Sequence, residues 1–246
     1  MEENVQTPEV QGEAKLSFIA KLGLIFTSPS RVFKNLAHYP TWLAPTILML
    51  VLALVSGYLM RDLGMQAQKE RIMQSERIPE ERKELILDRM DEQSGSPIQI
   101  VMMVVGIIVY IFASYAIVAG LLLFTGNVIL GGSSSFKHML SVYAWGSLVG
   151  IPEAIIKVPL ALAKNSIHVY TSLAILFDTS EAETTLFKIA NAVDIFAIWR
   201  VALWAIGFGI VYKFSQGKSY GAIIIWYVIW VVVSIVFSSL FAGFLG

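Results

Sequence analysis

The chain of 246 residues contains no cysteine, which excludes disulfides, thiolate metal sites and a cysteine nucleophile, and leaves no redox signature of a compartment. It is also poor in charge. Only 15% of its residues are Asp, Glu, Lys or Arg, and 18 basic residues cancel 18 acidic ones. With a pI near 6.8, that balance argues against a broad basic surface for nucleic acid or anionic lipid. His38, His138 and His168 share no metal-ligand spacing, no Gly-rich phosphate loop is present, and no serine, histidine and acid arrangement supports hydrolysis. The sequence implies no catalytic residue, no metal site and no cofactor, and we expect no enzymatic activity.

What fills the chain is apolar side chain. At 56% hydrophobic residues and a mean hydropathy of +0.68, it exceeds an ordinary soluble domain and reads as an integral membrane protein. The expected architecture is all-α, a bundle of five transmembrane helices with an N-terminal interfacial amphipathic helix. Residues 1–14, with Glu2, Glu3, Glu9 and Glu13, read as a disordered polar tail without a cleavable signal peptide. Residues 15–40 read as interfacial helices. Helical projection of Lys15 to Phe26 gathers Leu16, Phe18, Ile19, Leu22, Ile25 and Phe26 on one arc, with Ser17 and Lys21 facing away. Ser28 as N-cap and Pro29 at the first helical position then start a second short helix carrying Val32, Phe33 and Leu36, with Arg31 and Lys34 exposed.

Residues 41–246 form the membrane domain, with spans at about 42–60, 98–130, 139–163, 190–212 and 220–245. The second span is too long: its 33 residues at about 1.5 Å each reach about 50 Å, against a hydrocarbon core of roughly 30 Å. Tilt, a protruding end, or a break near Gly120 or Gly126 must absorb the excess. Segment 61–97, with seven basic and nine acidic residues, must lie outside the bilayer as a helical hairpin, its helix running from about 79 to 93. In loop 164–189, Asp178, Glu181 and Glu183 fit solvated acids better than a cation site, and Ser172 to Phe177 can dip into the interface. Leaving out the charge-balanced hairpin, seven basic residues fall on the N-terminal side against two on the other. This favours a cytoplasmic N-terminus and an external C-terminus.

Ionisable residues inside spans cost roughly 2.5 to 3.5 kcal/mol each near the helix centre and invite a functional reading. Four are present: Glu153, Lys157, Asp194 and Arg200. Glu153 and Lys157 stand four apart with the acid first, so they share a helical face in the favourable order. They are either a neutralised pair holding the third span, or a proton or ion relay flanked by Pro152 and Pro159. Asp194 lies near the start of its span, where a carboxylate meets unsatisfied N–H groups. Arg200 is six residues on, about 120° around the helix, so it cannot pair with Asp194, and Glu153 is its leading partner. The spacings Gly146-xxx-Gly150, Ala116-xxx-Gly120, Ala205-xxx-Gly209 and Ser234-xxx-Ser238 permit close helix approach within the chain or in a homodimer.

Four local patterns together resemble the Yip domain family of five-span membrane proteins, in particular its bacterial branch. They are Ile25-Phe26-Thr27-Ser28-Pro29 through Phe33 with Pro40-Thr41-Trp42-Leu43-Ala44-Pro45; Phe136-Lys137-His138 leading to Tyr143-Ala144 and Pro152; Asp194-Ile195-Phe196-Ala197-Ile198-Trp199 with Ile206-Gly207; and the turn Ser215-Gln216-Gly217-Lys218. The third is similar to the family's aspartate, phenylalanine, tryptophan signature. The resemblance implies five spans and a cytoplasmic N-terminus, and no defined activity; eukaryotic members interact with Rab-type GTPases. The expected role is a multi-pass scaffold or adaptor of the cell (inner) membrane, in contact with the lipid bilayer and a membrane-protein partner. The alternative is a small-solute or ion transporter using the charges of the third and fourth spans.

Overall fold

Backbone N–H and C=O groups find no water in a hydrocarbon layer, so each long apolar run must satisfy them internally as a helix. The computed structural model describes residues 14–75, 78–178, 182 and 184–244. Five helical segments there are long and apolar enough to cross a membrane. They are α3 (Leu43–Gln74), α5 (Pro97–Phe124) with the π-helical turn Thr125–Ile129, α6 (Phe136–Gly146) continued by α7 (Gly150–Lys164), α9 (Ile195–Tyr212) and α10 (Gln216–Phe244). The shorter helices are α1 (Phe18–Thr27), α2 (Pro29–His38), α4 (Glu80–Gln93) and α8 (Thr185–Ala192). The protein is an all-α integral membrane bundle.

The first span does not end where its apolar residues do. α3 runs through Arg61 and Asp62 to Gln74, because a helix that leaves the bilayer loses its lipid contacts and keeps its hydrogen bonds. α4 folds back on this overhang, held by the ion pair of Lys69 with Asp91 and by Lys83, which donates to the Met73 carbonyl at 3.0 Å and to Glu80 at 2.7 Å. The long second segment breaks at Thr125–Ile129. There the Tyr212 ring occupies the space a Cβ on Gly126 would need, its Cζ only 2.0 Å from that position, and the Tyr212 hydroxyl donates to Asn127 Oδ1 at 2.8 Å. The third span bends through the 3-10 turn Ser147–Val149 and carries Pro159 inside α7.

Two expectations need correction. The apolar stretch 190–212 is not one helix: α8 ends at Ala192 and α9 begins at Ile195, with Asp194 extended between them. Its carboxylate competes for the N–H groups that a continuous helix would use internally. Lys21 does not face away from the apolar arc. It is only 2% exposed, 3.5 Å from Thr41 Oγ1 and 5.8 Å from the Trp145 ring centre, whereas Ile19 is 80% exposed. The projection supposed a single apolar neighbour, the membrane, but α1 and α2 are packed on protein. Ile25, Val32, Phe33 and Leu36 are buried in one core with Val142, Trp145 and Phe208. Burial pulls the Lys21 ammonium below its usual range, with the nearby Lys15 charge adding to the effect. Asn35, also buried, accepts from Leu16 N at 3.3 Å and donates to the Ala14 carbonyl at 3.1 Å, which fixes the chain entering α1.

The zero net charge conceals a segregation. Residues 14–60, 125–152 and 195–244 contain no Asp or Glu, so the described charges at the α1–α2 end of the bundle, from Lys15 to Lys218, are all positive. Polar contacts knit that end together: His138 Nε2 lies 3.2 Å from the Ala37 carbonyl and Lys218 Nζ 3.1 Å from the Leu130 carbonyl. The neutral balance of the whole chain thus coexists with a local cluster of positive charge among the described residues.

Candidate functional site

At the other end of the bundle the two charged spans meet. The 3-10 turn restarts the third span at Gly150, placing Pro152 and Glu153 in the first turn of α7. One turn on, Lys157 Nζ reaches Glu153 Oε1 at 2.7 Å. The second oxygen of Glu153 takes Arg200 Nη1 of α9 at 3.1 Å, and Lys157 also reaches Asp194 Oδ2 at 3.1 Å. The result is a chain of contacts, Arg200–Glu153–Lys157–Asp194, with two acids and two bases. All four residues sit where the sequence separates them in pairs across α7 and α9, and Asp194 and Arg200 join through the α7 pair.

Asp194 does two jobs with two oxygens. Oδ1 caps α9, accepting from Phe196 N at 2.8 Å and Ala197 N at 3.2 Å. Oδ2 takes Lys157 and the Thr171 hydroxyl, the latter at 2.5 Å. Thr171 gets there because Asn165, in the left-handed region at φ 49°, ends α7 and turns the chain back. A single antiparallel bridge, Ser172 with Asp194, then ties the loop to the start of α9. Beyond it, Leu173, Ile175 and Leu176 are exposed on a 3-10 turn. The charged side chains retain modest exposure, from 11% for Asp194 to 31% for Arg200. Paired geometry of this kind offsets the desolvation cost that an isolated charge would carry in the apolar layer.

The remaining singled-out residues fall into two groups. Phe196 is buried with Lys157 Nζ 5.6 Å from its ring centre, beside Asp194 and Pro152 at the network. Pro29 opens α2, and Phe33 from the same helix is buried against Gly207 of α9, where a Cβ would lie 2.7 Å from the ring. Trp199 joins α9 to α1, edge-on to Phe26 at 5.8 Å. Of the small-residue spacings, Gly146 and Gly150 are used inside the chain, against Trp204 and Met49, and Gly209 against Ser219, whereas Gly120 faces open space. Glu181 and Glu183 lie outside the described residues, and no group of metal-ligating side chains occurs among those described.

Sequence reasoning reached Glu153, Lys157, Asp194 and Arg200 through spacing and depth, and missed Thr171, whose hydroxyl comes from 23 residues away on a loop with no periodicity to read. No curated protein and no solved structure matches the chain. Residues 22–240 match the Yip1 domain, a segment that includes both charged spans and the α2–α9 contact, and the chain belongs to the Yip1 domain family.

Proposed function

We propose that this Yip1-family membrane protein is a non-enzymatic scaffold or adaptor that holds a membrane-protein partner through its outward helix faces. The observation that carries this reading is the closure of the intramembrane charges on one another: two acids meet two bases in direct contacts of 2.7–3.1 Å. A network spent on joining α7 to α9 supports a structural role for the site. The apolar side chains of α3, α5 and α10 that remain exposed leave those helices free to meet lipid, a partner, or a second copy of the chain. The orientation that fits is a cytoplasmic N-terminus in the cell membrane, supported by the positive sign of every described charge at the α1–α2 end. Single cysteines replacing Ser75 and Ser215 in the cysteine-free chain test it: an impermeant thiol reagent should reach the first in intact cells and the second only after lysis.

The functional test pairs two measurements on the full chain. Reconstituted in liposomes, it should give no potential-driven or proton-driven flux, while crosslinking in native membranes should capture the same membrane protein reproducibly. Flux of a defined ion or solute that disappears in Glu153→Gln, in protein that remains folded, would overturn the scaffold reading in favour of a transporter.

A further inference from the structure

The basic end of the bundle holds a cavity of about 750 Å³ between α2, the end of α9 and the start of α10. Its polar lining includes Ser30, Lys34, His38 and Lys213, and it contains no carboxylate. Ile206, Ile210, Phe214 and Tyr220 supply an apolar portion of the same wall. Lys213 is the residue that ends α9, in the left-handed region at φ 57°, and α10 begins three residues later at Gln216. The cavity thus opens where two spans turn at the membrane surface. Lys34 and Lys213 form no ion pair with any described residue, in contrast to Lys157 and Arg200 at the other end. The first N–H groups of α10, a helix of 29 residues, add the positive end of a long helix dipole.

We propose that this cavity binds the phosphate headgroup of an anionic phospholipid, with Lys34 and Lys213 on the phosphate and the apolar wall against the glycerol and upper acyl chain. Three independent properties converge on that ligand: two ammonium groups with no ion pair or competing acid among the described residues, a mixed polar and apolar lining, and a position at the turn between two spans. A basic pocket between spans at the membrane surface recognises lipid phosphate by this combination. A freely soluble phosphate would use the two lysines and leave the apolar wall without a role. The inference requires only residence in the membrane and is independent of the scaffold reading.

Native mass spectrometry of the full chain, released from micelles doped with equal amounts of dioleoylphosphatidylglycerol and dioleoylphosphatidylcholine, tests it. The wild type should retain the phosphatidylglycerol preferentially. The double variant Lys34→Gln/Lys213→Asn, in which Asn tolerates the left-handed backbone, should weaken that retention by roughly tenfold or more. Lys34→Arg/Lys213→Arg, which keeps both charges, should restore it and guards against a folding artefact. Lys15→Gln/Lys137→Gln removes the same charge from the same end outside the cavity and should change retention by less than about twofold. Equal retention of the two lipids by the wild type would overturn the proposal, as would equal weakening by the two charge-removing doubles, which would mean a diffuse electrostatic effect. Displacement of the phosphatidylglycerol by millimolar glycerol 3-phosphate or inorganic phosphate would overturn the lipid assignment in favour of a soluble phosphate ligand.

Discussion

The two ends of this bundle handle charge in opposite ways. Around α7 and α9, every charge that the spans carry into the apolar layer meets its opposite, and the sum is zero. Around α2 and the α9–α10 turn the described charges are all positive, and Lys34 and Lys213 meet no acid among the described residues at the rim of a cavity. The difference follows depth. A charge held away from water needs a partner within the protein, whereas one at the headgroups can keep its charge for something outside the chain.

That contrast is most exposed to test at Glu153, because one carboxylate serves two bases. Glu153→Gln should cost about 3 kcal/mol of stability, read as a drop in thermal melting in detergent. The double variant Glu153→Gln/Arg200→Met leaves the Lys157–Asp194 contact intact and the cluster neutral, so it should recover part of the loss. Strictly additive losses would show that the two residues do not share an interaction. A smaller effect, at the basic end, comes from Gly207→Ala, whose new Cβ must displace Phe33 or Val142, 2.7 and 2.8 Å away. We expect a loss of about 1–3 kcal/mol, while Gly120→Ala, with nothing within 4 Å, should stay within about 0.5 kcal/mol of wild type. If the two glycine variants melt together, the α2–α9 contact is not a close-packed one.

The smallest effect belongs to Lys21, a charge buried at the basic end with no acid beside it among the described residues. Its folded pKa lies below the ordinary lysine value of 10.5 that the unfolded chain takes, so between those two values the unfolded state binds more protons. Stability then rises with pH across that window, and the penalty is complete below the folded value. Lys21→Met should flatten the rise in melting temperature between neutral pH and pH 10.5. A wild-type slope that persists in the variant would assign the effect to another group.

Much of this was legible from periodicity and spacing. Hydropathy locates five spans because lipid imposes one length and one backbone solution on each. The i, i+4 order of Glu153 and Lys157 points to a pair on one face, and the 120° offset that denies Arg200 to Asp194 makes Glu153 the leading partner for Arg200. Three features escaped for three reasons. α3 outruns its apolar segment because hydropathy reads the membrane and not the helix. α9 begins at Ile195 because a capping aspartate leaves no gap in an otherwise apolar run. Lys21 was misplaced because a single helix, viewed alone, does not say whether its apolar arc meets lipid or protein.

The four-charge network also bears on how the chain is assembled. Within the third span, Glu153 and Lys157 stand within bonding distance on one helix, so this pair can rest in the bilayer internally satisfied before anything docks on it. α9 carries Arg200 alone, because Asp194 caps it from the extended backbone before Ile195, and six residues of separation keep those two side chains from pairing directly. An isolated α9 therefore leaves its guanidinium unmatched, at roughly 2.5 to 3.5 kcal/mol near the centre of a span, until it seats against Glu153. The bundle thus carries an energetic bias toward seating α9 on α7, concentrated in one side chain and relieved by its contact with Glu153.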